Sequence, residues 1–131
     1  MTTSILLVDD NGIQGMSRKA ILDRNFTGVA IADSPIRALS LMADRDFVSA
    51  LKLVITDHLM PLMNGPEFVR ALRRVRPDLQ VLVLSGMQDA EPEYQGLNII
   101  FRAKPFAPEQ LIALTAELLD DAASDEMSRT A

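Results

Sequence analysis

Five short apolar runs, each followed by a stretch with helical spacing, constrain this chain more than any other feature. The runs are Ile5-Leu6-Leu7-Val8, Gly28-Val29-Ala30-Ile31-Ala32, Leu53-Val54-Ile55-Thr56, Val81-Leu82-Val83-Leu84 and Asn98-Ile99-Ile100-Phe101. Strands that are apolar throughout must be covered on both faces, as in a parallel sheet between two layers of helices. The intervening stretches supply that cover. Ile13, Met16, Ala20 and Ile21 fall on one helical stripe. Ile36, Leu39, Met42 and Ala43 form a second, behind Asp33-Ser34-Pro35, which offers a capping side chain and a first-turn proline. Phe68, Val69, Leu72 and Val75 form a third behind Asn64-Gly65-Pro66-Glu67, and Leu111, Leu114 and Leu118 a last one behind Pro108. From Met87 to Leu97, Pro92 and Gly96 leave room for only a short or irregular helix.

Right-handed crossovers leave few ways to connect five such units. The pattern predicts one α/β domain: a doubly wound (βα)5, flavodoxin-like fold with a five-stranded parallel sheet and helices on both faces. Residues 4–120 make up this domain, and residues 121–131 read as a polar, frayed or solvated C-terminal tail. With no cysteine, the chain has no disulfide framework, thiolate metal site or thiol nucleophile. No apolar run is long enough to span a bilayer, and the start Met-Thr-Thr-Ser-Ile lacks the features of a signal peptide. A cytoplasmic setting is expected. The net charge of −5 argues against direct contact with nucleic acid or an anionic membrane.

Ligands of doubly wound sheets bind beyond the carboxyl ends of the strands. There the sequence places Asp9 and Asp10 after the first run, Asp57 after the third, Ser85 after the fourth and Lys104 after the fifth. Taken singly these residues are ordinary: Asp10 or Asn11 can cap a helix, Asp57 and Ser85-Gly86 can sit in turns, and Lys104-Pro105 can lie on the surface. Together they describe a chemistry. Three carboxylates on one rim repel one another unless a cation lies among them, and their hard oxygens suit Mg²⁺. A carboxylate so placed can be a nucleophile toward a phosphoryl group, whose charge a metal, a lysine and a hydroxyl would meet.

Ile5-Leu6-Leu7-Val8-Asp9-Asp10, Thr56-Asp57-His58-Leu59-Met60-Pro61-Leu62-Met63-Asn64-Gly65, Leu84-Ser85-Gly86 and Lys104-Pro105-Phe106 together resemble the CheY-like receiver domain of two-component response regulators. The resemblance spans about residues 4–120, with each motif in the family's order. It implies that Asp57 is the phosphoacceptor and that Asp9, Asp10, Asp57 and the backbone carbonyl of Leu59 hold Mg²⁺. Ser85 would bind a phosphoryl oxygen, and Lys104 would contact the phosphate and Asp57. Phe101 matches the aromatic that turns inward in such domains as the hydroxyl moves toward the phosphate, making Ser85 and Phe101 the switch pair. The Lys104–Pro105 bond is expected to be cis. A histidine kinase or histidine phosphotransfer protein would supply the phosphoryl group, and a further protein would read the result.

The sequence departs from the family pattern in two places. Leu59 and Met87 lie where side chains flank the path of the hydrolytic water, so slow autodephosphorylation is expected. The short, Pro92-containing span before Lys104 implies an abbreviated helix, and the charges that pair subunits through that face are missing, so a monomer or weak dimer is expected. Arg70, Arg73 and Arg74 read as a solvated helix face, with Arg76 completing the basic cluster, and His58 as a rim residue. The Met1 start and the lack of an output domain favour a stand-alone receiver without DNA-binding output, or one excised from a larger protein. Such a domain is no turnover enzyme, since it would catalyse only changes at its own Asp57.

Three other readings fit less well. An aspartyl phosphatase needs a general acid where Leu59 stands, and a flavin carrier needs a phosphate cradle instead of an acidic rim. A degenerate receiver used only for docking is the remaining alternative, against which the complete set of site positions speaks.

Overall fold

A computed structural model describes residues 2–104 and 106–130, without the side chains of Gln88 and residues 123–130. The apolar runs form five strands: β1 (Ile5–Val8), β2 (Val29–Ala32), β3 (Leu53–Asp57), β4 (Gln80–Ser85) and β5 (Ile100–Ala103). All pairings are parallel, in the order β2-β1-β3-β4-β5. The chain leaves β1 for β2 on one side and returns to β3 on the other. The order therefore reverses between β1 and β3, where Val8 pairs with Thr56. That reversal opens a crevice at the carboxyl ends of these two strands.

Helices α1 (Gly12–Asn25) and α5 (Pro108–Thr130) cover one face, where Ile5, Leu7, Ile55, Leu82 and Leu84 pack with Leu22, Leu111 and Leu118. Helices α2 (Pro35–Leu41), α3 (Arg45–Ala50) and α4 (Gly65–Val75) cover the other, where Leu6, Val8, Val54, Val81 and Val83 meet Ala38, Phe68, Val69 and Leu72. Alternate residues of each strand thus feed two separate cores. Asn11, Ser34, Asp44 and Asn64 cap α1 to α4 by accepting amide hydrogens of the first turns. The span around Pro92 forms a 3₁₀ segment, Gln88–Tyr94, as its proline implied.

Four expectations from the sequence are corrected. On α1, Ile13 and Met16 are 86% and 72% exposed, and the buried residues are Gly15 and Leu22. A Cβ at Gly15 would come within 2.9 Å of the Ile31 side chain and 3.3 Å of Asp9 Cβ. Glycine lets α1 lie close to the sheet, and that close face wins over the more apolar stripe. The second stripe crosses a helix end: α2 stops at Leu41, leaving Ile36 and Ala43 exposed, and the unforeseen α3 follows. Val75 is likewise exposed on α4. At the C-terminus, α5 continues through the expected frayed end to Thr130, with Ala122 buried.

Arg73 and Arg76 do not lie on a solvated face. Arg73 donates to the carbonyls of Leu97 at 2.8 Å, Leu79 at 2.6 Å and Asn98 at 2.9 Å. It thereby joins the C-terminal turn of α4 to the chain entering β4 and β5. Arg76 donates to the carbonyls of Val48 and Leu51 at the end of α3. Burial lowers the Arg73 pKa, but the carbonyls around it still demand a donor. Among the described residues, no helix is long and apolar enough to cross a membrane.

Candidate functional site

Asp9 follows β1 directly, and Asp57 is the last residue of the neighbouring β3. Both are buried, whereas Asp10 is exposed at the rim. One carboxylate oxygen from each of the three lies within 4.8 Å of the others. These hard donors fit a divalent cation. Asp57 and Asp10 also line a cleft of about 220 Å³, shared with Ser85, Lys104 and Leu59. The structure thus brings together Asp9, Asp10, Asp57, Ser85 and Lys104 from the ends of four strands.

Each group is held in a definite way. The Lys104 ammonium lies 2.7 Å from Asp57 Oδ1, and its amide donates to the Ser85 carbonyl at 2.7 Å. The Ser85 hydroxyl accepts the Met87 amide at 2.9 Å and reaches the Met87 carbonyl at 3.4 Å. Asp9 Oδ1 accepts the Asn11 amide at 2.9 Å. Burial raises the Asp9 pKa to about 6, with nearby Asp57 adding to the rise, while the Asn11 amide and the charge of Arg18 oppose it. Leu59 is 65% exposed at the cleft's edge. Pro105, and with it the expected cis bond, lies outside the described residues.

The sequence reading missed Arg18. Its Nη1 lies 3.0 Å from Asp9 Oδ2 and 3.1 Å from Asp57 Oδ1, with the side chain 12% exposed. Gly15, Arg18 and Leu22 share the sheet-facing side of α1, spaced i, i+3 and i+7. The signal was an arginine one turn beyond that glycine, in the helix following two aspartates. Both cations meet Asp57 at Oδ1, so among the described residues Oδ2 has no cationic partner.

A second group extends inward from the site. His58 was expected at the rim but is buried, with Nδ1 2.7 Å from the Tyr94 hydroxyl. That hydroxyl passes so close to Gly65 that a Cβ there would overlap it at 1.8 Å. The Tyr94 ring packs against Phe101, centroids 6.0 Å apart. Phe101 is 8% exposed and already faces inward, outside the cleft itself.

Comparison with known proteins gives this arrangement its family. Residues 5–116 match the response regulator receiver domain. The chain belongs to that family. Response regulator MprA of Mycobacterium sp. (strain KMS) is 33% identical over 129 residues, which are 96% of this chain and 54% of that protein. Sensor kinase CckA of Brucella abortus (strain 2308) is 29% identical over 121 residues, 90% of this chain and 12% of that kinase. The chain therefore spans about half of the first relative and a small part of the second. A CheY-like receiver domain protein from Methanospirillum hungatei JF-1 superposes with a TM-score of 0.84 at 23% identity, over 95% of this chain and 99% of its own. This receiver domain accordingly has the CheY-like parallel fold and belongs to two-component signalling proteins.

Proposed function

We propose that this receiver domain accepts a phosphoryl group on Asp57 and acts as a phosphorylation-dependent switch. The carrying observation is the state of Asp57: one oxygen is engaged by Lys104 and Arg18, while among the described residues the other has no cationic partner. In the reaction Oδ2 attacks phosphorus, the O–P bond forms, and the P–N bond to the donor histidine breaks, leaving a neutral imidazole after protonation. Lys104 passes from the carboxylate to a phosphoryl oxygen, and the Ser85 hydroxyl donates to another. Asp9, Asp10, Asp57 and the Leu59 carbonyl would hold Mg²⁺, which when bound offsets phosphoryl charge.

The switch follows from what Ser85 already holds. Its hydroxyl is bonded to the Met87 backbone, and Met87 leads into the 3₁₀ segment carrying Tyr94. Turning the hydroxyl toward a phosphoryl group pulls on that segment, and through Tyr94 on His58 and Phe101. Because Phe101 is already inside, its part is a repacking against Tyr94.

A protein donor, a histidine kinase or histidine phosphotransfer protein, suits the surroundings. The exposed Ile13 borders a larger depression with Ile21 and Phe106, which shares Asn11, Gln14 and Lys104 with the acceptor cleft. A downstream protein, with no nucleic acid or membrane contact, completes the proposal for this acidic chain.

Intact mass after incubation with acetyl phosphate, with and without Mg²⁺, tests the reading. The expected gain is one phosphoryl group that requires both Mg²⁺ and Asp57 and is absent from Asp57→Asn. No gain in a chain that binds Mg²⁺ would leave the docking module as the better account.

A further inference from the structure

Among the described residues, Arg18 is a charged group in contact with Asp9 and Asp57 to which the receiver chemistry above assigns no task. It comes from α1, whose sheet-facing side it shares with Gly15, and its side chain is almost enclosed. A single guanidinium nitrogen bridges the two buried carboxylates, 3.0 Å from Asp9 Oδ2 and 3.1 Å from Asp57 Oδ1. Asp9 Oδ1 already accepts the Asn11 amide, so Oδ2 is the oxygen with capacity for a cation, and Arg18 is on it. We propose that the Arg18 guanidinium is a displaceable internal cation that holds the divalent-metal position in the resting domain and must leave for the metal to bind.

The charge and the geometry lead to the same conclusion. Asp9, Asp10 and Asp57 bring three negative charges, against which Lys104 alone would leave a large excess. Arg18 removes half of that excess at the two buried carboxylates, which eases their repulsion without a metal. Mg²⁺ takes oxygen ligands at about 2.0–2.1 Å in a compact octahedral shell. A guanidinium nitrogen on the same oxygens competes for that space and repels the ion. Arg18 stands one helical turn from the mouth of the cleft, on a side chain long enough to turn out toward solvent. Metal binding thus carries the cost of breaking two ion pairs, and the apparent affinity falls accordingly.

This inference rests on reading Asp9, Asp10 and Asp57 as the metal-holding carboxylates, and its test separates the two. Calorimetric titration of MgCl₂ into the unphosphorylated chain and into Arg18→Met is expected to show binding about tenfold tighter in the variant. The melting temperature of the variant should drop in EDTA and recover in Mg²⁺. Equal or weaker Mg²⁺ binding by a folded Arg18→Met overturns the inference and leaves the metal reading intact. No binding by either protein overturns both, while acetyl phosphate labelling of Asp57 would still report on the acceptor. Should Arg18→Met not fold, the wild-type chain answers alone. Its Arg18 guanidinium ¹H–¹⁵N signal, assigned with Arg18→Lys, should shift on Mg²⁺ saturation, and an unmoved signal overturns the inference.

Discussion

Arg18 and Arg73 sit at opposite edges of the same sheet and are used in opposite ways. Arg18, at the carboxyl edge, meets two carboxylates that another cation could satisfy equally well. Arg73, at the amino edge, meets three backbone carbonyls, of Leu79, Leu97 and Asn98. Carbonyl oxygens stripped of a donor lose hydrogen bonds outright, whereas carboxylates stripped of one cation can take up another or a proton. The same residue type is therefore a fastening at one edge and an exchangeable counter-ion at the other. Phosphoryl chemistry requires a region whose charges can be rearranged, and the rest of the sheet must stay in place while that happens.

The largest expected effect belongs to the fastening. Arg73→Met should lose about 2–4 kcal/mol in urea unfolding, by the same amount with and without Mg²⁺. A loss under about 0.5 kcal/mol would mean that water satisfies those carbonyls, and the contrast with Arg18 would collapse. At the other edge the effects are smaller and functional. Ile13→Asp should slow phosphoryl transfer from a protein donor on the order of tenfold and leave labelling by acetyl phosphate unchanged. Equal slowing of both would place Ile13 in the chemistry and not in recognition. Smallest is the effect of Leu59, exposed at the cleft's edge, where an apolar side chain does nothing to orient a hydrolytic water. Leu59→Asn should shorten the phosphoryl half-life a few-fold, and an unchanged or longer half-life would remove Leu59 from that role.

Much of the fold was readable because strand patterning is local. Each of the five apolar runs became a strand within a few residues, and the polar residues closing them came together at one rim. Helix faces were less readable, since several apolar stripes compete on one helix and only contact decides between them. On α1 the decision went to Gly15, whose lack of a side chain admits the sheet. In the same way Arg73 looked like one member of a basic cluster until the segments entering β4 and β5 placed backbone carbonyls beside it.

By itself the sequence determined the number of the strands and their succession along the chain, the caps that start α1, α2 and α4, and the placing of Asp9, Asp10, Asp57, Ser85 and Lys104 at strand ends. These depend on neighbours along the chain, through periodicity and backbone hydrogen bonding. Only the tertiary structure decided that Arg18 joins Asp9 to Asp57, that His58 turns inward to Tyr94, and that Phe101 rests inside against it. Those contacts connect residues that are distant in sequence. Long polar and aromatic side chains take the partner that packing brings within reach, and burial then makes that partner necessary.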